Sequence, residues 1–236
     1  MTTFNRSDDL RGAKFVETDL CGARFVKADL SGAVMREVDI DGADIDAPWL
    51  SGSLRVNGVD VVPFVEAELN RRFPGRADRR AADPESLRAA WATLEHTWAA
   101  TLERVAAMPP GTVDVSVDGE WSFAQTLRHL VRATDIWLRR AALQLDQPLH
   151  PIGLGHDENT PERPPYDEVL EVRAGRVAMV RDFLATVTAD ELAAPRKNPH
   201  APEEPETVLS CVHVVLEEEW GHLRYATRDL DTIVAG

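Results

Sequence analysis

The chain has 236 residues, of which 44% are apolar, 28% charged and 6% aromatic, a globular balance that excludes wholesale disorder and fibrous or disulfide-stapled classes. Asp and Glu number 40 against 26 Lys and Arg, for a formal net charge of -14, which disfavours binding of a phosphate backbone by the surface as a whole. No apolar run approaches the ~18 residues of a membrane span, and MTTFNRSDDL lacks the basic-then-apolar order of a secretory signal. Cys21 and Cys211 have no CxxC partner and read as packed or inert thiols. A cytoplasmic protein that binds neither nucleic acid nor membrane is expected.

Residues 1–50 follow a period of five. Leu10, Phe15, Leu20, Phe25, Leu30, Met35, Ile40 and Ile45 are apolar, and Ala13, Ala23, Ala28, Ala33 and Ala43 stand two positions before five of them. Neither a helix nor an ordinary strand has this period, whereas a square coil with one unit per side would aim every large apolar residue at its axis. The pattern, with Ala28-Asp29-Leu30 and Ala43-Asp44-Ile45, resembles the pentapeptide-repeat family, which implies a short right-handed β-solenoid. With four sides per coil, these units make two coils, fewer than the three or so repeats that usually stand alone, so docking on the rest of the chain is expected. Longer arrays of that family mimic DNA and bind topoisomerases; this one is too short to present much duplex-like surface.

Residues 51–82 read as a connector, punctuated by Gly52, Gly58, Pro63, Pro74 and Gly75, with a turn at Asn57-Gly58 and one short helix near 61–73. Arg71, Arg72, Arg76, Arg79 and Arg80 form a basic run, either a solvated linker or a strip pairing with the acidic remainder.

From residue 83 helical periodicity dominates. Asp83-Pro84-Glu85 supplies an N-cap with Pro at the first helical position, and Leu87, Trp91, Leu94, Trp98, Leu102 and Val105 follow at spacings of three and four. A second helix is predicted from about 122 to 145, opened by the capping box of Ser122 and Gln125; a third over about 166–187; a fourth over about 206–233. Between the second and third lies DQPLHPIGLGHDENTPERPP, a crossover long enough to be expected over a site. Four helices with one long crossover fit a bundle whose site lies between facing helices.

On the fourth helix Glu218 and His222 are four apart, within about 40° on one face, and can share one ion. His129 on the second helix, among apolar neighbours, could add a ligand from across the bundle; imidazole nitrogens and a carboxylate oxygen suit zinc or nickel, and three protein ligands leave a position open. The bland alternatives stand beside this: a surface pair for E-x-x-x-H, and a satisfied core histidine for His129. Arg132 reads as an anchor for a substrate carboxylate or as an ordinary ion-pair partner. Tyr225 and Asp229 lie on the His222 side, where they could orient ligands, although Asp229 could equally pair with Arg224 or Arg228. His213 is half a turn out of phase with His222, His96 points to solvent, and His150, His156 and His200 are loop residues, the first two within reach of the site mouth. Glu217 and Glu219 should be exposed or paired.

Together WSFAQTLRHLVRATDIWL, HPIGLGH and CVHVVLEEEWGHLRYATRDLD resemble the DinB-like superfamily of metal-binding four-helix bundles, over roughly residues 84–234. Many members carry a His on the second helix and H-x-x-x-H on the fourth. Here Glu218 replaces the first of that pair, as in the mycothiol-dependent maleylpyruvate isomerases of the superfamily. The resemblance implies His129, Glu218 and His222 as ligands of a divalent metal, zinc first and nickel second. It also implies a mainly α four-helix bundle over 83–236 behind the repeat, and a mycothiol-like thiol as cosubstrate. The expected activity is S-transfer or thiol-assisted isomerisation of a small electrophile, with Arg132 and Tyr225 as candidate catalytic residues. The competing expectation is a metal-binding or partner-docking module without catalysis. Thiol, electrophile and oligomeric state, a homodimer included, are left open.

Overall fold

The computed structural model describes residues 3–5, 8–47, 50, 52–155 and 163–236. The chain divides into two units, Met1–Asp46 and Ala47–Gly236.

In the first unit the period of five is written into the backbone. Gly12, Glu17, Gly22, Lys27, Gly32, Glu37 and Gly42 all take positive φ, between 48° and 73°. Every second corner is a closed turn, in which Ala13, Ala23, Ala33 and Ala43 donate their N–H to Leu10, Leu20, Leu30 and Ile40. The carboxylates of Asp9, Asp19, Asp29 and Asp39 accept the N–H two residues on at the same corners. The repeat is thus five residues long in apolar spacing and ten in turn chemistry. The expected burial of its apolar column is not met: Leu10, at 44%, and Ile45, at 61%, bracket the exposures of the eight residues. A solenoid shields its axis only where coils cover one another, and every described residue of this unit is exposed.

The second unit opens with a hairpin, β1 (Arg55–Val56) and β2 (Val59–Asp60), turned at Asn57 and Gly58 with φ of 50° and 82°. Helix α1 (Val62–Arg72) follows, with Pro63 in its first turn. The basic run is paired: Arg71 and Arg72 with Glu68, Arg76 and Arg79 with Glu66, and Arg80 with Glu217. Helix α2 (Pro84–Ala106) is capped by the Asp83 carboxylate and buries Leu87, Trp91, Leu94, Trp98 and Val105 of the stripe its spacing predicts, with Leu102 half-buried. Helix α3 (Phe123–Thr134) starts at the Ser122–Gln125 capping box. It does not run on as an α-helix to 145. From Asp135 to Ala142 the helix is of the π type, Leu143 N–H reaching back to Leu138 O at 2.9 Å, and the wider turns admit Asp135 and Arg139 to the interior beside Leu138 and Ala142.

Helix α4 (Tyr166–Thr186) precedes a short α5 (Ala189–Ala193) opened by the Thr188–Glu191 capping box. The predicted start of the last helix at 206 is too early. Residues Pro205–Thr207 are strand β4, paired antiparallel with β3 (Pro195–Lys197), and α6 runs over Val208–Ala235 from its Thr207 cap. Strands of three residues with prolines at their ends carry no readable alternation. Helices α2 and α3 each pack against both α4 and α6. Their shared core includes Trp91, Leu94, Leu127, Leu130, Leu216 and Trp220, none more than 2% exposed, each contributing about 1.5–3 kcal/mol by burial. No helix is long and apolar enough to cross a membrane among the described residues.

Candidate metal centre

His129 projects from the middle of α3 and Glu218 and His222 from one face of α6, so the packing of those two helices decides whether they meet. They meet. One ligand atom from each lies within 4.8 Å of the other two. The Nε2 atoms of both imidazoles stand 3.2 Å from the same oxygen, Oε2 of Glu218, and the ring centroids are 4.7 Å apart. A tetrahedral ion with bonds of about 2.0–2.1 Å spaces its ligands about 3.3 Å apart.

The hydrogen bonds around the triad fix what faces its centre. Nδ1 of His129 lies 3.0 Å from the carbonyl of Leu154 in the crossover. A carbonyl only accepts, so this network assigns the proton to Nδ1 and leaves Nε2 with its lone pair toward Glu218. A carboxylate oxygen and an imidazole lone pair then converge on one point, which a cation or a proton must fill. Burial alone would push the Glu218 carboxyl up; with a proton at that point in the metal-free centre, hydrogen bonds to His129 and His222 outweigh burial and hold the carboxyl far below the ordinary range. Burial also pushes the His222 imidazole below its usual value, with Glu218 opposing in part. The donor set therefore fits a borderline divalent cation such as zinc.

Aromatic rings wall the triad. Trp121 lies over both imidazoles, its centroid 4.8 Å from that of His129 and 5.9 Å from that of His222. Tyr225 meets His222 edge-on at 5.8 Å and is flanked by the guanidinium groups of Arg224 and Arg228 at 4.4 and 5.3 Å. Trp121 escapes sequence reading because it precedes the cap of α3 and so belongs to no periodic stripe; its position beside Ser122 was the available signal. Arg132 is half-buried and backs onto Gly153 of the crossover, where a Cβ would stand 3.1 Å from its own Cβ.

The remaining candidates are drawn elsewhere. Asp229 pairs with Arg228 at 2.8 Å, which in turn reaches Glu120 at 2.6 Å. His213 donates from Nε2 to Ala81 O at 2.8 Å, and Nδ1 of His150 accepts from the N–H of Ile152, 3.3 Å away in its own loop. His200 rests on Trp137, and His96 is exposed. His156 lies outside the described residues. Of the glutamates beside Glu218, Glu217 pairs with Arg80, while Glu219 is 1% exposed and held by Arg173 at 2.6 Å through both oxygens.

A helical domain with a His/Glu triad spanning two helices, His129 buried and Glu218 and His222 half-buried, is the class of protein this architecture defines. The DinB superfamily model matches residues 93–226, and the chain belongs to that superfamily. The pentapeptide-repeat model matches residues 9–46 in 8 copies. No curated protein and no solved structure matches the chain.

The depressed His222 value gives a signed pH dependence. An unfolded chain takes up this proton near pH 6.5, before the folded protein does, so acidification favours unfolding. Stability of chelator-treated protein is therefore expected to be complete above about pH 6.5. It should fall by up to about 1.4 kcal/mol per pH unit below that. Urea titrations at pH 5, 6 and 7 measure it, and His222→Gln should flatten the slope; an equal slope in both proteins would contradict the assignment.

Proposed function

We propose that the protein is a divalent-metal-dependent enzyme of the cytoplasm that activates a mycothiol-like small thiol for S-transfer to, or thiol-assisted isomerisation of, a small electrophile. The observation that carries this reading is the convergence of His129, Glu218 and His222 on one point, from two helices of a DinB-superfamily domain. Three ligands leave a tetrahedral ion one position for an exogenous group. A bound dication would supply acidity, holding a thiol of ordinary pKa about 8.5 as its thiolate at neutral pH. The chain does the rest. Trp121 and Tyr225 exclude water from the imidazoles, and the Leu154 carbonyl keeps His129 in the ligating tautomer. Arg132 is proposed to anchor a substrate carboxylate and Tyr225 to orient the reacting partner. The four long helices α2, α3 with its π extension, α4 and α6 are read as the four-helix bundle. The 8 repeat copies are read as a rudimentary right-handed β-solenoid, on the strength of their recurring left-handed corners.

Conjugation of a small thiol to a fluorogenic electrophile tests the proposal. Turnover should require bound zinc or nickel, disappear on chelation and return on metal addition. The exposed apolar column of the repeat favours a second reading, a metal-binding module that docks partners through residues 1–50. Stoichiometric metal without thiol-dependent turnover across several thiols would select it.

A further inference from the structure

The helix that carries His129 changes character one and a half turns later, where Asp135 opens the π-helical segment. Such widened turns recur at functional sites. Asp135 is 0% exposed, and its carboxylate gathers partners from three parts of the fold. Arg176 on α4 donates from Nε to Oδ1 at 2.7 Å, Arg139 one turn on brings its Nε within 3.2 Å of the same oxygen, and the backbone N–H of His150 donates to Oδ2 at 2.8 Å. A buried carboxylate needs such partners, but joining α3 to α4 would not require the third, which belongs to the crossover. Arg139 extends the same hold by donating to the carbonyl of Pro148.

A few residues on, the crossover touches α3 again. Arg128 donates from Nε to Ile152 O at 2.9 Å, and Leu154 N–H donates to Arg128 O at 3.2 Å. The Leu154 carbonyl accepts a hydrogen bond from Nδ1–H of His129. Ile152 and Leu154 are 5% and 1% exposed. The chain between the anchors at 148–150 and 152–154 is too short to absorb a displacement of the first without moving the second.

We propose that Asp135 is a positioning residue for the metal centre: by anchoring the crossover at His150, it holds the Leu154 carbonyl against Nδ1 of His129 and so aims Nε2 at the ion. This rests on His129 being a ligand. Partners of this kind alter metal affinity by about 10–100-fold when lost.

The test uses the full chain carrying Asp135→Asn, and a second variant, Asp135→Leu with Arg139→Met and Arg176→Met. The triple change replaces the buried ionic cluster by apolar groups of similar size, a substitution that usually leaves folding intact. Zinc affinity is read by competition with a chromophoric chelator, and the His129 Nδ1–H resonance by NMR of chelator-treated protein. The expected result is zinc binding about 10–100-fold weaker, with loss of the Nδ1–H signal, at unchanged helical circular dichroism. A folded variant that keeps wild-type zinc affinity overturns the proposal, as does one whose affinity falls while the imidazole signal persists. Parent protein that binds no zinc, yet loses the signal on Asp135→Asn, would sink the metal reading and leave the tether standing.

Discussion

Replacing His129, Glu218 or His222 singly by Ala should strip the protein of stoichiometric zinc while leaving its helices in place. The expected size follows from sharing. If about 10–16 kcal/mol of binding is divided among four positions around a tetrahedral zinc, loss of one protein ligand costs roughly 2.5–4 kcal/mol, or about 10²–10³-fold in affinity. The losses should be strongly non-additive, because two remaining ligands no longer define a site, and a second substitution finds little left to remove. His129→Ala is the most discriminating of the three. Glu218 and His222 share one helix face and could bind an ion weakly without help, whereas His129 contributes only through tertiary packing. Elemental analysis after dialysis against zinc-buffered chelator reads the outcome. Full metal content in His129→Ala, with the other two empty, would show that the site lies on α6 alone; full content in all three would end the metal assignment.

The parts of this architecture visible in the sequence are those set by local chemistry. The Asp83 cap, the Ser122–Gln125 box and the stripe from Leu87 to Val105 each depend on residues within a few turns, so spacing reveals them. The triad was legible for a different reason: Glu218 and His222 are one turn apart, His129 stands among apolar neighbours on another helix, and the family resemblance joined the three. What escaped depends on contacts distant in sequence. The π segment brings Asp135 and Arg139 to partners on α4 and in the crossover, and no periodicity in DIWLRRAA announces it. Trp121 acquires its role only where α6 brings His222 beneath it. The corner of the repeat, Asp then Leu or Ile, any residue, Gly and Ala, recurring every ten residues, was readable but hidden by the stronger five-residue apolar beat. Conversely, apolar periodicity alone overstated burial in that repeat, since a period specifies which side chains align and not what covers them.

Arg173→Met should lower stability by about 3–5 kcal/mol, the cost of leaving one member of a buried ion pair without its partner, and lower Tm by roughly 6–20 °C. Glu219 is the last of three consecutive acidic residues whose spacing is uninformative; its burial is decided by Arg173 reaching it from α4, with the guanidinium carbon also 5.9 Å from the ring of Trp98. Burial pushes the Glu219 carboxyl up and Arg173 restrains it, with Glu218 next door adding to the upward push. Without the guanidinium the carboxyl is driven to take up a proton on folding, so the deficit should grow with pH across the neutral range, where the unfolded chain keeps Glu219 ionised. Substituting both partners, Arg173→Met with Glu219→Leu, removes charge and counter-charge together and should recover most of the loss, since well-packed apolar replacements of buried pairs are often neutral or stabilising. Urea unfolding of the two single variants and the double closes the cycle. A double variant as unstable as Arg173→Met would mean that the guanidinium contributes by packing on Trp98 rather than by neutralising Glu219. Zinc content should survive in the double variant, which separates this core pair from the adjoining candidate ligand Glu218 even though the two glutamates are neighbours in the chain.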